Sequence, residues 1–358
     1  MKQVLFILPA LPEFEPYAFN YFAIAERMAV DFDVICWNRK GDCFDAPDNY
    51  FVYQIATNDN FSPLKKMMEI YGFYNFAKKV MRNRKYHAVF VFTIADAVFF
   101  ASYLRKYYKG RYVFDIRDYS PMVTWPFFVD KLKCLLRNSA FNVISSEGYK
   151  SWLPKGFDYI VCHNVDLDKL RGAMDYKAIA KTDCTMTVLT IGSIRDVSSN
   201  AQVIDALANQ PDFQISFVGA GNGVPALKQH CVAHNVRNVF FYGRYKKEDE
   251  DGFVEGCDLM SIYLPQNIGS SSLMTNRFYL ATRFRKPIIA NKGSFGADQV
   301  EKYGLGLVVS EASHLADDIR DYMKSLNREM FDSNCLRFLK DVDKDMIRFE
   351  ETITKALT

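Results

Sequence analysis

Two successive series of short apolar runs, separated by segments with helical periodicity, dominate this sequence. The first run, Val4–Leu8, is apolar at every position and stops at Pro9. Such runs are typical of strands that are buried on both faces of a parallel sheet. Their regular alternation with helices indicates βαβ units, so we predict an α/β fold with doubly wound, Rossmann-like sheets. The further runs are Phe32–Cys36, Tyr50–Ile55, Ala88–Phe92, Tyr112–Asp115, Asn142–Ser145, Tyr159–Cys162, Thr187–Ile191, Gln214–Val218, Val239–Tyr242, Leu259–Tyr263, Pro287–Ala290 and Leu307–Val309.

The alternation breaks once, at the polar segment Asp166–Thr185. A chain of 358 residues is long enough for two domains. We therefore predict a first Rossmann-like domain over residues 1–167 and a second over residues 186–335, with a helical segment at 336–358. In sheets of this kind ligands bind beyond the carboxyl ends of the strands, so the residues that follow each run are the candidates for function.

Composition and charge exclude several classes of protein. A net charge of +3 is too small to argue for a nucleic-acid partner. The eight cysteines contain no C-x-x-C pair and no zinc spacing, which suits a reducing compartment and predicts no structural metal. Val4–Leu8 is shorter than a secretory apolar segment of about 7–15 residues, and no window offers the ~20 apolar residues of a membrane span. We expect a cytoplasmic protein.

The basic residues are concentrated in one part of the first half, where aromatic residues accompany them. One interpretation is a solvated helix face, and the other is a surface that rests on anionic lipid head groups at the inner face of a membrane. The residues are Lys65, Lys66, Lys78, Lys79, Arg82, Arg84, Lys85, Lys106, Lys109 and Arg111, with Tyr71, Phe73, Tyr74 and Phe76 among them.

Three segments of the second half follow predicted strands and have the chemistry of phosphate sites. The glycines of Gly219–Gly223 allow backbone amides to approach a phosphate, although a tight turn alone also explains them. Arg195, after Gly192, offers a fork of donors to a diphosphate, or is a surface residue paired with Asp196. The serines of Gly269–Ser272 either cap the helix at Thr275–Arg283 or present amides to an anion.

The first half offers fewer candidates. Asp115–Asp118 follows a strand, and its carboxylates and guanidinium either orient a substrate hydroxyl or form a structural ion pair. Ser145–Glu147 either faces a ligand or caps the next helix. We interpret the lone His163 as structural.

The second half resembles the donor domain of family-4 glycosyltransferases, which have the GT-B fold. The resemblance lies in the order and spacing of short segments between Tyr112 and Val309 rather than in any one of them. They are Val188–Arg195, Phe217–Gly221, Val239–Tyr245, Cys257–Leu259, Thr275–Ala281 and Lys286–Ala290, with Ile144–Glu147 and His163–Asp166 near the hinge between the domains.

The resemblance implies that a sugar passes from a nucleotide-diphosphate sugar to a saccharide or lipid-linked saccharide, with retention and without a bound metal or other cofactor. It implies that the terminal helix returns to the first domain. Asp118, Arg117 and Glu147 are the candidates that face the acceptor, and surface-polysaccharide assembly is the implied process. The candidate donor-binding residues are Gly192, Arg195, Gly219, Gly221, Gly243, Tyr245, Ser271, Ser272, Leu273, Asn276 and Arg277.

The sequence departs from the family at three places: Arg117 stands where a histidine is frequent, Ser199 and Asn200 lie where a lysine is common, and a pair of glutamates is missing. Members carry two glutamates eight positions apart around the donor-site helix, and Ser272 and Leu280 stand at those positions here. Two alternatives therefore stay open: a non-catalytic protein of this fold that binds a nucleotide or a saccharide, and a nucleotide-sugar epimerase.

Overall fold

The computed structural model describes residues 3–41, 43–57, 62–178 and 185–358. The chain divides into two compact units, one formed by Met1–Asn164 with Asp345–Thr358 and the other by Val165–Lys344. Part of the predicted linker, residues 179–184 with Cys184, lies outside the described residues. The described part of that segment begins with a helix, because the Asp166 side chain accepts a hydrogen bond from the Lys169 amide at 3.1 Å and caps it.

Unit 1 contains a seven-stranded sheet in the order β3-β2-β1-β4-β5-β6-β7, with parallel pairing throughout. Its order reverses between β1 and β4, as in other doubly wound sheets. The strands are β1 Gln3–Ile7, β2 Asp31–Trp37, β3 Tyr50–Tyr53, β4 Ala88–Phe92, β5 Tyr112–Ile116, β6 Phe141–Ile144 and β7 Ile160–Val161. The helices are α1 Ala18–Arg27, α2 Pro63–Asn83, α3 Ile94–Tyr107 and α4 Pro126–Asn138.

Unit 2 contains a six-stranded parallel sheet in the order β10-β9-β8-β11-β12-β13. Its strands are β8 Met186–Ile191, β9 Phe213–Val218, β10 Val239–Gly243, β11 Leu259–Ile262, β12 Ile288–Asn291 and β13 Gly306–Val309. Its helices are α5 Leu167–Gly172, α6 Ser198–Leu207, α7 Val224–Ala233, α8 Glu250–Glu255, α9 Ile268–Ser271, α10 Asn276–Arg283, α11 Phe295–Tyr303 and α12 Leu315–Ser325. The predicted fold class, two doubly wound sheets, is confirmed.

The last helix, α13, runs from Arg328 to Leu357. It starts eight residues before the helical segment predicted at 336–358. It contributes to both units, since the division falls between Lys344 and Asp345. In unit 2, Phe338 packs against Phe278 with ring centroids 5.1 Å apart. In unit 1, Phe349 meets Tyr21 edge-on at 5.0 Å. Aromatic pairs of this geometry stabilise beyond the area they bury.

Candidate functional site

The loops that follow β8 and β11 lie at the point where the strand order of the second sheet reverses. β8 pairs with β9 on one side and with β11 on the other. Such a switch point opens a crevice at the carboxyl ends of the strands, where doubly wound sheets bind their ligands. The segment Gly192–Arg195 after β8 and the first turn of α10 therefore stand at the place that favours a ligand most.

The glycines that follow β9 are required by packing against the loop after β8. A β-carbon on Gly219 would lie 1.9 Å from the Gly192 carbonyl oxygen, and one on Gly221 would lie 2.1 Å from that of Ile194. The Gly219 amide donates to the Gly243 carbonyl at 2.7 Å, and the Gly223 amide to the Ile194 carbonyl at 3.1 Å. The amides of Gly219 and Gly223 are therefore not free for a phosphate. The tight-turn interpretation explains why positions 219 and 221 are glycines.

Arg277, in the first turn of α10, reaches across the end of the sheet to the loop after β8. Its Nη2 donates to the Ser193 carbonyl at 3.2 Å, and its Nη1 approaches the Ser261 carbonyl of β11 at 3.5 Å. Burial lowers the pKa of Arg277 to about 10. The guanidinium stays charged at neutral pH, and a cation held at the switch point in a poorly solvated setting is suited to a diphosphate.

Tyr245 follows β10 and lies near enough to Arg277 for the two to interact electrostatically. Its hydroxyl donates to the buried carboxylate of Glu250 at 2.9 Å, and Lys247 pairs with the same carboxylate. Burial, with the hydrogen bond to Glu250, raises the pKa of Tyr245. A ring fixed in this way offers a flat face beside the arginine. Glu250 and Lys247 were not predicted as site residues, because neither follows a strand directly.

The serine segment is a short helix, α9, rather than an open loop. The Ser270 amide donates to the Asn267 side chain at 2.9 Å, the Ser271 amide to the Asn267 carbonyl at 2.8 Å, and the Ser272 amide to the Ser270 carbonyl. The Ser271 and Ser272 hydroxyls donate to carbonyls of the same segment. The expectation that these three amides face an anion does not fit this geometry, because each already has an acceptor.

The remaining predicted donor residues lie around the same edge. Arg195 is exposed, and its Nε donates to the Ser193 hydroxyl at 2.9 Å, so its side chain is held beside the loop that Arg277 contacts. Leu273 is half-buried, and exposed Asn276 is the first residue of α10. Gly192 and Gly243 have positive φ angles of 101° and 78°, which turn the chain sharply after β8 and β10.

The two positions at which family-4 enzymes carry glutamates are both buried. Leu280 is 5% exposed and belongs to the apolar core of unit 2 with Phe278 and Tyr279. Ser272 is 4% exposed. Neither position carries a carboxylate, and both side chains are packed inside the local fold.

In unit 1, Arg117 is part of a buried ion-pair network. Its Nη2 and the Tyr21 hydroxyl both donate to Oδ2 of Asp115, each at 2.5 Å, and its Nη1 donates to the Cys162 carbonyl at 3.1 Å. The guanidinium also covers the Tyr17 ring at 4.4 Å. The structural alternative for Asp115–Asp118 therefore describes Arg117, and this geometry gives no support to its selection as a residue that faces the acceptor.

The other predicted residues of unit 1 divide between surface and structure. Asp118 is exposed just beyond the carboxyl end of β5. Glu147 is exposed and pairs with Lys150 at 2.7 Å, while the Ser146 hydroxyl caps the turn by accepting from the Gly148 amide at 3.2 Å. His163 pairs with Asp345 at 3.1 Å, which agrees with its structural interpretation.

Glu15 lies at the carboxyl edge of the sheet of unit 1, and it was not predicted from the sequence. It lies in the proline-rich loop after β1, where burial raises its pKa to about 7 and the nearby charge of Asp118 adds to the rise. Arg39 donates to the Pro9 carbonyl at 2.7 Å and lies 3.5 Å from Asp96, so it ties the same loop to the start of α3. The only signal in the sequence was an acidic residue in the loop after the first strand.

Among the described residues, no group of three metal-ligating side chains occurs and no helix has the length and apolarity of a bilayer span. None of the seven described cysteines forms a disulfide bond, and five of them are buried.

The two parallel α/β units define the architecture of the GT-B glycosyltransferases, and chains of that class match this one over its whole length. Sucrose-phosphate synthase from Thermosynechococcus elongatus is similar with a TM-score of 0.70 and 12% identity, covering 98% of each chain. Anabaena Alr3699/HepE in complex with UDP is similar with a TM-score of 0.69 and 15% identity, covering 99% of this chain and 100% of that one.

Trehalose 6-phosphate synthase from Burkholderia multivorans is similar with a TM-score of 0.71 and 11% identity, covering 100% of this chain and 98% of that one. No protein-family profile and no curated protein matches the sequence. At these identities the likeness establishes the GT-B fold, and the function rests on the site.

Proposed function

We propose that this protein is a glycosyltransferase that moves a sugar from a nucleoside-diphosphate sugar to a saccharide or lipid-linked saccharide. One observation carries the proposal. At the switch point of the second sheet, Arg277 is held by the carbonyls of Ser193 and Ser261. Exposed Arg195 is tethered to the same loop through the Ser193 hydroxyl. Two guanidiniums at this place supply the charge that a leaving diphosphate needs.

The donor we propose is a UDP-sugar, with a GDP-sugar as the alternative. The similar Anabaena HepE has been solved with UDP and with UDP-glucose. In this chain, Tyr245 is fixed beside Arg277 by its hydrogen bond to Glu250, and its ring offers a stacking face for a base. The loop after β10 would then hold the base, while Arg277 and Arg195 hold the diphosphate.

The reaction needs an acceptor hydroxyl held against the anomeric carbon while the diphosphate departs. Asp118 is the first candidate in unit 1 to orient that hydroxyl, because its carboxylate is exposed beyond the end of β5. Glu147 is the second candidate; its carboxylate is exposed as well and is paired with Lys150. We propose retention of configuration and no resident metal ion, as the resemblance to family-4 enzymes implies. Full activity in EDTA would support the second point.

We further propose a cytoplasmic enzyme that rests on the inner membrane face and acts on lipid-linked chains in bacterial surface-polysaccharide assembly. Leu64, Met68 and Tyr71 of α2 are exposed by 71%, 69% and 54%, and their spacing places them on one helix face. The basic residues Lys65 and Lys66 lie on the same turns. Apolar side chains between lysines are typical of helices that lie in a membrane interface.

The test is thermal unfolding in the presence of UDP, GDP, ADP and, as a control, CMP. A ligand that binds only the folded state raises the melting temperature, so one nucleoside diphosphate should give a clear shift. The Arg277→Met variant should lose that shift, while Arg237→Met, at an exposed arginine of the opposite sheet edge, should keep it. Slow release of the nucleotide from the matching nucleotide-sugar in water would then show catalysis. No shift with any of the four nucleotides would contradict the proposal.

The burial of Leu280 and Ser272 favours one second candidate, a non-catalytic protein of the same fold that binds a nucleotide. Both candidates predict a thermal shift. They differ in chemistry, because a binding protein would release no nucleotide from any nucleotide-sugar, with or without an acceptor present.

A further inference from the structure

A cavity of about 1430 Å³ opens in unit 1 at the amino ends of β6 and β7. It is bounded by the last turns of α4, the loop that precedes β7 and the last turns of α13. Asp118 and Glu15 follow the carboxyl ends of strands, so this cavity lies at the other edge of the sheet. None of the residues proposed above to bind the donor or to orient the acceptor hydroxyl lines it.

The charge of the cavity is strongly uneven. Five cationic side chains that line it take part in none of the ion pairs or side-chain hydrogen bonds found among the described residues: Lys133, Arg137, Lys155, Arg348 and Lys355. A sixth, Lys150, is paired with Glu147. Two carboxylates, Asp158 and Glu351, also line the cavity. Unpaired cations from three separate elements create a positive potential that a concave surface focuses.

The wall of the cavity is fixed by hydrogen bonds that need no ligand. The Asn142 amide donates to the carbonyls of Leu136 at 3.2 Å and Asp158 at 3.4 Å, and it accepts from the Ser139 hydroxyl at 2.8 Å. The Tyr159 hydroxyl donates to the Pro154 carbonyl at 2.9 Å. These bonds hold the end of α4 and the loop before β7 in place, so the cavity is formed in advance.

We propose that this cavity is a binding groove for an acidic saccharide chain, one that carries carboxylate groups between neutral hydroxyl-bearing positions. The unpaired cations fit the carboxylates of such a chain, and Asp158 and Glu351 fit its hydroxyls as hydrogen-bond acceptors. Tyr159 and Phe157 add ring faces on which sugars can pack. The choice of a saccharide rests on the proposed function, in which the groove would hold a part of the acceptor remote from the reacting hydroxyl.

Two other occupants fit the groove less well. A chain with a phosphate at every position, such as a nucleic acid, would be repelled by the two carboxylates. A lipid surface is flat, whereas these cations surround a concavity, so a membrane would reach only the rim. A saccharide chain whose carboxylates are separated by neutral positions can pair with the cations of the lining and donate hydroxyl hydrogen bonds to its two carboxylates.

The experiment is isothermal titration of the full chain with a hyaluronan hexasaccharide, in which glucuronate alternates with neutral N-acetylglucosamine, and with maltohexaose as the neutral probe. The wild-type protein should bind the hyaluronan hexamer, more weakly as salt rises, and should not bind maltohexaose. The double variant Arg348→Glu/Lys355→Glu should bind it at least about tenfold more weakly, since each reversal replaces an attraction by a repulsion. The matched control Lys324→Glu/Lys340→Glu reverses two exposed lysines of unit 2 and should bind as the wild type does.

Absence of binding to the hyaluronan hexamer, equal binding of maltohexaose, or equal affinity in the double variant would each overturn the proposal. The proposal would also be overturned if the hexamer does not bind while vesicles of phosphatidylglycerol capture the wild-type protein but not the double variant. The thermal shift with nucleotides is measured on every variant and separates the two proposals. Hexamer binding without any nucleotide shift supports the groove and contradicts the transferase, and the reverse result overturns the groove alone.

Discussion

The carbonyl oxygen of Gly192 occupies the space that a β-carbon on Gly219 would need, 1.9 Å from its ideal position. The φ angle of Gly219 is 132°, in a region that other residues rarely adopt. The two loops that follow β8 and β9 are thus locked together without any side chain between them. The position of Arg277 depends on this contact, because the arginine bonds to the next carbonyl, that of Ser193.

We predict that Gly219→Ala destabilises unit 2 by about 2 kcal/mol or more, because it adds both a backbone clash and an unfavourable φ. Urea unfolding followed by circular dichroism measures the change. Gly252→Ala, in α8, is the matched control, since a β-carbon there meets no atom within 4 Å. The control should be neutral or more stable by up to about 1 kcal/mol. Equal stability of the two variants would contradict the packing explanation.

Arg195→Ala should weaken the binding of the nucleoside diphosphate that shifts the wild type, by about tenfold, through loss of a charge-assisted contact. Its unfolding free energy should stay within about 0.5 kcal/mol of the wild type, because the side chain is exposed and its one hydrogen bond to a described residue is that to Ser193. Titration calorimetry with the nucleotide gives the affinity. Unchanged affinity would remove Arg195 from the donor site.

Removal of Arg117 should destabilise unit 1 by about 3–5 kcal/mol, because Asp115 is buried and would lose its cation. The double variant Asp115→Leu/Arg117→Met should recover much of that loss, since no charge remains buried. Chemical unfolding of the two variants side by side provides the comparison. If Arg117→Met is as stable as the wild type and only activity falls, the arginine faces the acceptor after all.

The raised pKa of Glu15 predicts a pH dependence. Its pKa is about 7 in the folded protein against 4.5 for the ordinary group, so the folded state binds more protons between these values. The free energy of unfolding should therefore fall as pH rises from 4.5 to 7, by on the order of 1 kcal/mol after allowance for partial exposure. Glu15→Gln should flatten this part of the profile, and a profile unchanged by the substitution would contradict the shift.

Leu64→Glu/Met68→Glu should reduce sedimentation of the protein with vesicles that contain phosphatidylglycerol, because charges replace the apolar face of α2. Val232, 83% exposed on α7 of unit 2, provides the control Val232→Glu, which should sediment as the wild type does. Equal sedimentation of all three proteins would show that α2 does not rest on the membrane.

The architecture could be predicted because its signal is local. Runs such as Ala88–Phe92 are apolar throughout and fully buried as strands, so composition alone marks the parallel sheet. The site is harder to predict from the sequence, because function depends on how the loops meet. Whether the Ser270–Ser272 amides are free depends on Asn267, which folds them into a short helix.

Arg117 and Glu15 illustrate this limit in two ways. Arg117 was predicted as a site residue and lies in a buried ion pair, whereas Glu15 was not predicted at all. Nothing in Asp115–Asp118 tells which charge is buried, and the outcome depends on Tyr21, 94 positions away from Asp115. Glu15 has no distinguishing neighbours in sequence, and its unusual pKa comes from burial and from Asp118. Ionisable groups of this kind are identified only after the strands bring distant loops to one edge.

The division of α13 between the units has a consequence for biosynthesis. Unit 2 is formed by one continuous stretch of chain, Val165–Lys344, so all of its residues have been synthesised before the last part of α13, from Asp345 on, is added. Unit 1 is different, because Tyr21 packs against Phe349 and Arg27 pairs with Glu350. Although unit 1 is begun first during translation, it is the unit that is completed last, and its core stays open at Tyr21 until the end of α13 has been made.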